Sequence, residues 1–307
     1  MQLRYADDFV EGAVFICANR RRCGPPPLQI RRFHLAREKL YSILDPDARN
    51  TAFFNLQLEW FREWGLEKML VGPADEFPLL RRMLNALVFR RARIQRDEGA
   101  ELYVGPENGR SGVVALRIER FDRPDELACF LRHEFAHVND MLDPAFGYSP
   151  EVHLPGRNAA QQRLTRERYR LLWDIAIDGR LTAASRATLG GREQHRVAFD
   201  HVFGFWPESR RNEVFDALWV DRQPRHADLL AIASDPRGLD STHEPVPGAA
   251  CPLCGFATFA WAGAHGLSAP TRAAICAEFP HWAPDQGACR RCVEIYRIVG
   301  ARTPLAV

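Results

Sequence analysis

The sequence predicts an α+β protein that is mostly helical, with a small antiparallel sheet and a small C-terminal unit. Three observations lead to this fold class. Apolar residues recur at helical spacing over most of the chain, and two short stretches near residues 101–104 and 113–118 change to the pattern of strands. Four of the eight cysteines form two Cys-x-x-Cys pairs near the C-terminus. Helical runs that are separate from a few strands are typical of the α+β class.

The composition excludes several kinds of protein. Apolar residues make up 46% of the 307, which is ordinary for a globular chain and excludes wholesale disorder. The net charge of +2 does not by itself indicate a nucleic-acid or membrane partner. No apolar run reaches the length of a membrane span, so we expect no membrane partner. Asp7 and Asp8 precede a short apolar patch, which is unlike a secretion signal. A cytoplasmic location follows as the expectation.

The first ninety residues predict helices. Pro25, Pro26 and Pro27 suggest a linker or a packed arm at the end of residues 1–30. From about residue 33 to 92 the apolar spacing predicts three helices. The third begins near Pro78 and is marked by Leu84, Leu87 and Val88, among others.

Residues 95–143 predict two strands and a helix. The strands are 101–104 and 113–118, and residues 105–109 between them have turn composition. In the helix that follows, Asp122 is the predicted N-cap and Pro124 lies in the first turn. Asp143, which precedes Pro144, ends this helix.

The remaining pattern predicts further helices and a boundary. A Pro- and Gly-rich loop covers about 144–157, and a long helix covers about 159–185. More helix follows at about 193–233, with interruptions near Pro207 and Pro224. Residues 235–250 have the composition of a linker, which predicts one domain over 1–245 and a second over 246–307.

The pentapeptide His133-Glu134-Phe135-Ala136-His137 is the strongest chemical signal. Residues four apart lie one turn apart on the same face of a helix, so both imidazoles can bind one Zn²⁺. Glu134 can then act as general base on a metal-bound water. Two core histidines flanking a buried glutamate would otherwise need other partners, and one metal ion satisfies all three more simply.

Strand, strand, motif helix, loop and a second helix with acidic residues follow one another over roughly residues 95–185. This order resembles the zincin metallopeptidases, in which the two histidines bind zinc and the glutamate polarises the attacking water. The resemblance implies a zincin-like domain, a catalytic zinc held by His133 and His137, and hydrolysis of peptide bonds in a polypeptide substrate. It also implies that strand 113–118 holds an extended substrate by edge pairing. Asn139 departs from the family pattern, in which an apolar residue is usual.

A catalytic zinc needs a third protein ligand, and the sequence offers several. Asp174 and Asp178 lie four apart on one helix face, similar to the gluzincin arrangement, in which an acidic ligand is followed four residues later by an Asp that orients a histidine ligand. Some bacterial metallopeptidases with a Trp-Asn-x-Ala-x-Asp element are similar over residues 173–178. They favour Asp178 as the ligand, with the other acid accepting a hydrogen bond from a ligand imidazole. Asp143, by resemblance to metzincins, and His153, by resemblance to SprT-like proteases, are the alternatives.

The reaction also needs a hydrogen-bond donor for the oxyanion. Four side chains could supply it, and the sequence does not rank them: Tyr148, His153, Arg180 and His195.

The two cysteine pairs predict a second metal site. Each Cys-x-x-Cys forms a turn that presents two thiolates, and two such turns complete a tetrahedral site for a structural zinc. The predicted ligands are Cys251, Cys254, Cys289 and Cys292. Reduced or redox-active pairs are the alternative, and Cys276 or His281 could substitute as ligands. The expected cofactors are therefore two zinc ions, one catalytic and one structural.

Two such turns around one zinc form a zinc ribbon, and we expect this small domain over residues 246–307. The predicted ribbon carries arginines and aromatic residues that suit a macromolecular partner. Arg290 and Arg291 lie inside the second cysteine pair, and Phe256 and Phe259 follow the first. A zincin followed by a ribbon is similar in layout to SprT-like proteases, which act on DNA-bound proteins. The alternative function is a non-catalytic zinc-binding protein that uses its ribbon to bind nucleic acid or a protein partner.

Overall fold

The computed structural model describes residues 1–20, 24–105, 109–149, 159–204, 206–234, 248, 250–262, 267–280 and 282–302. The chain divides into two compact units, one of residues 1–144 with 186–189 and the other of residues 145–185 with 190–307. The predicted boundary between residues 245 and 246 lies outside the described residues and stays a prediction. In the part of the chain that the structure describes, no helix combines the length and the apolar character needed to cross a membrane.

The first unit combines helices with a four-stranded sheet. Its elements are β1 (Gln2–Tyr5), α1 (Asp7–Ala18), α2 (Pro27–Leu40), α3 (Pro46–Glu63), α4 (Leu66–Asp75), α5 (Pro78–Met83), β2 (Ala86–Arg91), β3 (Gly99–Val104), β4 (Arg110–Leu116) and α6 (Pro124–Leu142). The helical character predicted from residue 33 is confirmed up to Met83, but four helices, α2 to α5, lie there in place of the predicted three. Helix α2 begins at Pro27, within the linker or packed arm predicted at the end of residues 1–30, and β1 and α1, for which no element was predicted, form before it. Phe9 and Val10 of α1 are completely buried, so this segment is part of the core.

The sheet is mixed, and this corrects the predicted antiparallel sheet. The strand order is β1-β2-β4-β3, with β1 and β4 parallel to β2 and only β3 antiparallel to its neighbour. Leu87 and Val88 were predicted to lie in a helix and instead belong to β2. Ala86, Leu87 and Phe89 are buried, so the strand lacks the alternation that distinguishes a strand from a buried helix.

The position of β4 overturns a further expectation. β4 pairs with β2 on one side and with β3 on the other, so the strand predicted at 113–118 has no free edge for a substrate. The edge position beside it belongs to β3.

The motif helix α6 has the predicted length, and its first residue is Pro124, as expected for a position that needs no N–H donor. The predicted N-cap was wrong, because Arg123 occupies that position without a side-chain cap. Asp122 lies in a short 3₁₀ turn, Ile118–Asp122, and its carboxylate pairs with Arg20 at 2.9 Å. The helix is anchored instead by its buried apolar face, which includes Leu127, Leu131 and Phe135.

The second unit is built from helices and a short ribbon. Its elements are α7 (Ala159–Ala183), α8 (Arg192–Val202), α9 (Glu208–Val220), α10 (His226–Ser234), β5 (Trp261–Ala262), α11 (Ala269–Glu278), β6 (Ala288–Cys289) and α12 (Arg290–Arg302). The predicted helix breaks are confirmed, since Pro207 precedes α9 and Pro224 precedes α10. Helices α7 and α9 approach closely at Gly179, where a Cβ atom would overlap the carbonyl oxygen of Trp219.

Candidate metal centres

Helix α6 turns three polar side chains into a buried setting. His133, Glu134 and His137 are only 6–7% exposed. The Nε2 atoms of His133 and His137 lie 3.3 Å apart. Two nitrogens bonded to one tetrahedral zinc at about 2.0–2.1 Å would lie about 3.3 Å apart, so this pair fits the ion.

A carboxylate completes this group of possible ligands. One ligand atom each from His133, His137 and Asp174 lies within 4.8 Å of the others. Two imidazoles and one carboxylate are a donor set that binds zinc and also suits other divalent ions. The structure therefore contains a His/Asp group that could hold a metal ion.

Glu134, on the same helix, is held by the backbone of the edge strand. The N–H of Ala100 in β3 donates to Glu134 Oε2 at 2.7 Å. Gly99 has a φ of 152°, a backbone conformation that residues other than glycine rarely adopt. Among the residues that the structure describes, no donor contacts Glu134 Oε1, so this oxygen remains for another partner.

Asp178 is placed differently from Asp174. Its side chain is completely buried, and its Oδ2 accepts hydrogen bonds from the N–H of Gly190 at 3.1 Å and from His195 Nε2 at 2.7 Å. One acid of the pair was predicted to accept a hydrogen bond from a ligand imidazole, whereas Asp178 accepts one from His195, which was not predicted to be a ligand. Whether Asp174 or Asp178 is the metal ligand stays a prediction.

The remaining candidate ligands and donors are spread over several places. Asp143 caps the C-terminal end of α6, and His153 lies outside the described residues. Tyr148 is half-buried against the rings of Trp173 and His226, and burial raises the pKa of its hydroxyl. The Nε of Arg180 donates to the carbonyl of Ala176 at 3.3 Å. None of these contacts decides which side chain would stabilise an oxyanion.

The four paired cysteines converge at one point. All four Sγ atoms lie within 4.8 Å of one another. The distance is 4.0 Å between Cys251 and Cys292, and 3.8 Å between Cys254 and Cys289. Sulfurs bonded to one tetrahedral zinc at about 2.3 Å lie about 3.8 Å apart, so the spacing fits this ion and is too wide for a disulfide. Of the predicted substitutes, His281 lies outside the described residues, and Cys276 is exposed.

The electrostatics of this cluster favour a cation. Hydrogen bonds from the thiols of Cys254 and Cys292 lower the pKa of Cys251 to about 2. The reciprocal hydrogen bond to Cys251 raises the pKa of Cys254 to about 11. One thiolate therefore forms easily and opposes the ionisation of its neighbour, whereas a divalent cation would stabilise several thiolates together.

The C-terminal part also has an apolar cluster of its own. Its buried members include Leu253, Ile275, Phe279, Trp282 and Tyr296. Trp282 donates through Nε1 to the carbonyl of Gly287 at 3.0 Å. The paired cysteines are therefore embedded in packed side chains.

Two features of the first site were missed from the sequence. The donor to Glu134 is a backbone N–H. Any residue except proline supplies this group, so the residue type at position 100 does not indicate the hydrogen bond. Gly99 is the one visible hint, because a glycine at the start of a strand can mark a special backbone conformation.

The chain was also compared with known proteins. No protein-family model matches it, and neither the curated proteins nor the solved structures include a significant match.

Proposed function

We propose that this chain is a zinc-dependent metallopeptidase of the zincin type. One observation carries the proposal: two imidazole nitrogens 3.3 Å apart share a site with a carboxylate, and a buried glutamate follows the first histidine. Structural histidines do not need this combination, whereas hydrolysis at a metal ion needs each part of it.

The residues would divide the work as follows. His133, His137 and Asp174 would hold the zinc, with Asp178 as the alternative third ligand. The bound ion would supply Lewis acidity, lowering the pKa of a water molecule and polarising a peptide carbonyl. Glu134 would accept the proton of the water on Oε1 and later give it to the leaving amine, while Ala100 keeps Oε2 in place.

The edge strand β3 is the element that suits an extended substrate. It is one of the two outer strands of the sheet, and the N–H of Ala100 near its start already faces Glu134. An extended polypeptide that paired with β3 would pass the glutamate. The strand predicted from the sequence, now β4, is replaced in this role by its neighbour.

The cysteine cluster would hold a second, structural zinc. Four thiolates leave no open position for a substrate, which is typical of structural sites. We therefore assign catalysis to the first site alone.

A second candidate function is binding through the C-terminal part without catalysis. Phe256 and Phe259 are 72% and 82% exposed, although large aromatic side chains are usually buried. Arg290 and Arg291 are exposed as well, and the N–H of Arg290 donates to the carbonyl of Ala260, next to Phe259. Exposed aromatic rings beside arginines favour a nucleic-acid partner, and a protein partner is also compatible.

The test compares Glu134→Gln with the wild-type chain, using casein as an unfolded protein substrate in the presence of zinc. We expect the wild type to cleave casein and the variant to lose about 10²–10⁴-fold in rate, because the general base is gone. The zinc content should stay equal, since Glu134 is not a ligand. Equal rates in the two proteins, or no cleavage by the wild type, would contradict the proposal. Salt-dependent binding of single-stranded DNA by an inactive chain would support the second candidate.

A further inference from the structure

Glu98 is a buried acid at the start of the edge strand. Its side chain is 2% exposed, and Arg120 binds both of its oxygens, through Nε at 2.6 Å and Nη2 at 2.9 Å. Arg117 adds two more hydrogen bonds, from its backbone N–H at 2.9 Å and from its Nε at 3.3 Å. Burial acts to raise the pKa of Glu98, but the hydrogen bonds from Arg120 and Arg117 outweigh it and lower the pKa. The carboxylate is therefore ionised and firmly held.

Arg120 also contacts the motif helix. Its guanidinium lies 3.9 Å from the ring centre of Phe130, which is 4% exposed. Phe130 lies one helical turn before Glu134, on the same face of α6. One side chain thus connects the start of β3 to the part of α6 that carries the glutamate.

Glu98 is also connected to Glu134 through the backbone at the start of β3. Gly99 and Ala100 follow Glu98 directly, and Gly99 has the glycine-specific φ of 152°. Ala100 then donates its N–H to Glu134 Oε2 at 2.7 Å. The nearest atom to a Cβ built on Gly99 is again Glu134 Oε2, at 3.5 Å. The backbone at residues 99–100 therefore borders the carboxylate closely.

We propose that Glu98 and Arg120 are positioning residues for Glu134. The pair fixes the backbone at Ala100 so that its N–H holds Oε2 and leaves Oε1 for proton transfer. A buried ion pair costs desolvation energy and is weak evidence for stability, so we assign this pair to the orientation of the strand. The catalytic consequence rests on the proposed peptidase function, whereas the geometric part does not.

The first measurement is amide hydrogen exchange on the ¹⁵N-labelled, zinc-loaded full-length chain. In Glu98→Gln and Arg120→Gln, we expect the Ala100 amide to exchange about tenfold faster or more, because its charge-assisted hydrogen bond is weakened. Amides of the central strand β4 should exchange at the wild-type rate. Arg120→Lys keeps the charge without the two-point contact and should give a smaller effect, which provides a measurement if the other variants fold poorly.

Arg20→Gln is the matched control. It removes another largely buried arginine that pairs with the segment Ile118–Asp122, through Asp122, and it leaves Glu98 and Arg120 intact. Exchange at Ala100 should not change in this variant.

The second measurement is casein hydrolysis by the same proteins. We expect Glu98→Gln and Arg120→Gln to lower kcat by about 10–100-fold, as for other residues that orient a catalytic group, with KM and zinc content unchanged. Exchange at Ala100 that is equal in all proteins would overturn the positioning role. Faster exchange with an unchanged kcat would overturn its catalytic importance. A wild type that does not cleave casein contradicts the proposed function, and exchange at Ala100 still decides the geometric part.

Discussion

The Nε2 atoms of His133 and His137 face each other across 3.3 Å in a buried setting. Two protonated imidazoles would repel each other at this distance, whereas two lone pairs directed at one cation would not. The two imidazoles lie this close because four residues separate them on α6, which places both side chains on the same face of the helix. Asp174 and Asp178 are the two acids that could complete the site.

Replacing Asp174 by alanine and replacing Asp178 by alanine should have different effects on zinc content and on stability. Asp174→Ala should lose the zinc of the first site, because the carboxylate grouped with the two histidines is removed. Asp178→Ala should keep that zinc and lower the free energy of unfolding by about 2–5 kcal/mol, because Gly190 and His195 lose a buried acceptor. Zinc analysis and denaturant unfolding check both. The opposite pattern of zinc loss would make Asp178 the ligand.

The cysteine cluster should be required for the folding of the C-terminal part. Cys289→Ser should release one zinc and abolish the near-ultraviolet circular dichroism of Trp282, whose cluster packs around the cysteines. Cys276→Ser is the control, because this exposed cysteine lies outside the group of four. Retention of both zinc ions in Cys289→Ser would argue against a structural site.

Gly179 should not tolerate a side chain. In Gly179→Ala the new Cβ would overlap the carbonyl oxygen of Trp219 and push α7 and α9 apart, which we expect to cost about 1–3 kcal/mol. Gly72→Ala is the control, because no atom lies within 4 Å of a Cβ at this helical position. It should stabilise the protein by about 0.4–1 kcal/mol. Thermal unfolding compares the two, and equal effects would show that the helices can separate at no cost.

Stability should fall on mild acidification because of His226. Burial lowers the pKa of this histidine from its usual value of 6.5, so the folded chain resists a proton that the unfolded chain accepts. Stability is therefore full above pH 6.5 and decreases as the pH falls below that value, until the pH passes the folded-state pKa.

The measurement is denaturant unfolding from about pH 7.5 to about pH 5.5, around the ordinary histidine pKa. In His226→Phe this group no longer titrates, so the difference between the wild type and the variant should change by up to about 1.4 kcal/mol per pH unit. The hydroxyl of Tyr169, which lies 2.7 Å from His226 Nδ1, loses this contact at every pH, and the loss adds only a constant offset to the difference. Parallel curves for the two proteins would contradict the prediction.

The motif helix could be predicted from the sequence because its signals are local. Pro124, the apolar spacing and the stop before Pro144 all lie within one segment, and α6 has the predicted extent. The cysteine cluster could be predicted equally well, because two Cys-x-x-Cys pairs without a secretion signal are typical of a metal site.

The sheet was harder to predict because its strands are defined by distant partners. β1 pairs with β2, more than eighty residues away, and the buried run of β2 has no alternation to distinguish it from a helix. The contact between Ala100 and Glu134 was hard to predict for the same reason, because the two residues are distant in the sequence. It depends on a backbone group and on a register that no single segment contains.

Zinc content of purified full-length protein tests the central claim most directly. The wild type should contain two zinc ions per chain, and the double variant His133→Ala, His137→Ala should contain one, held by the four cysteines. A wild type with a single zinc that the double variant retains would contradict the account, because the histidine site would then hold no metal.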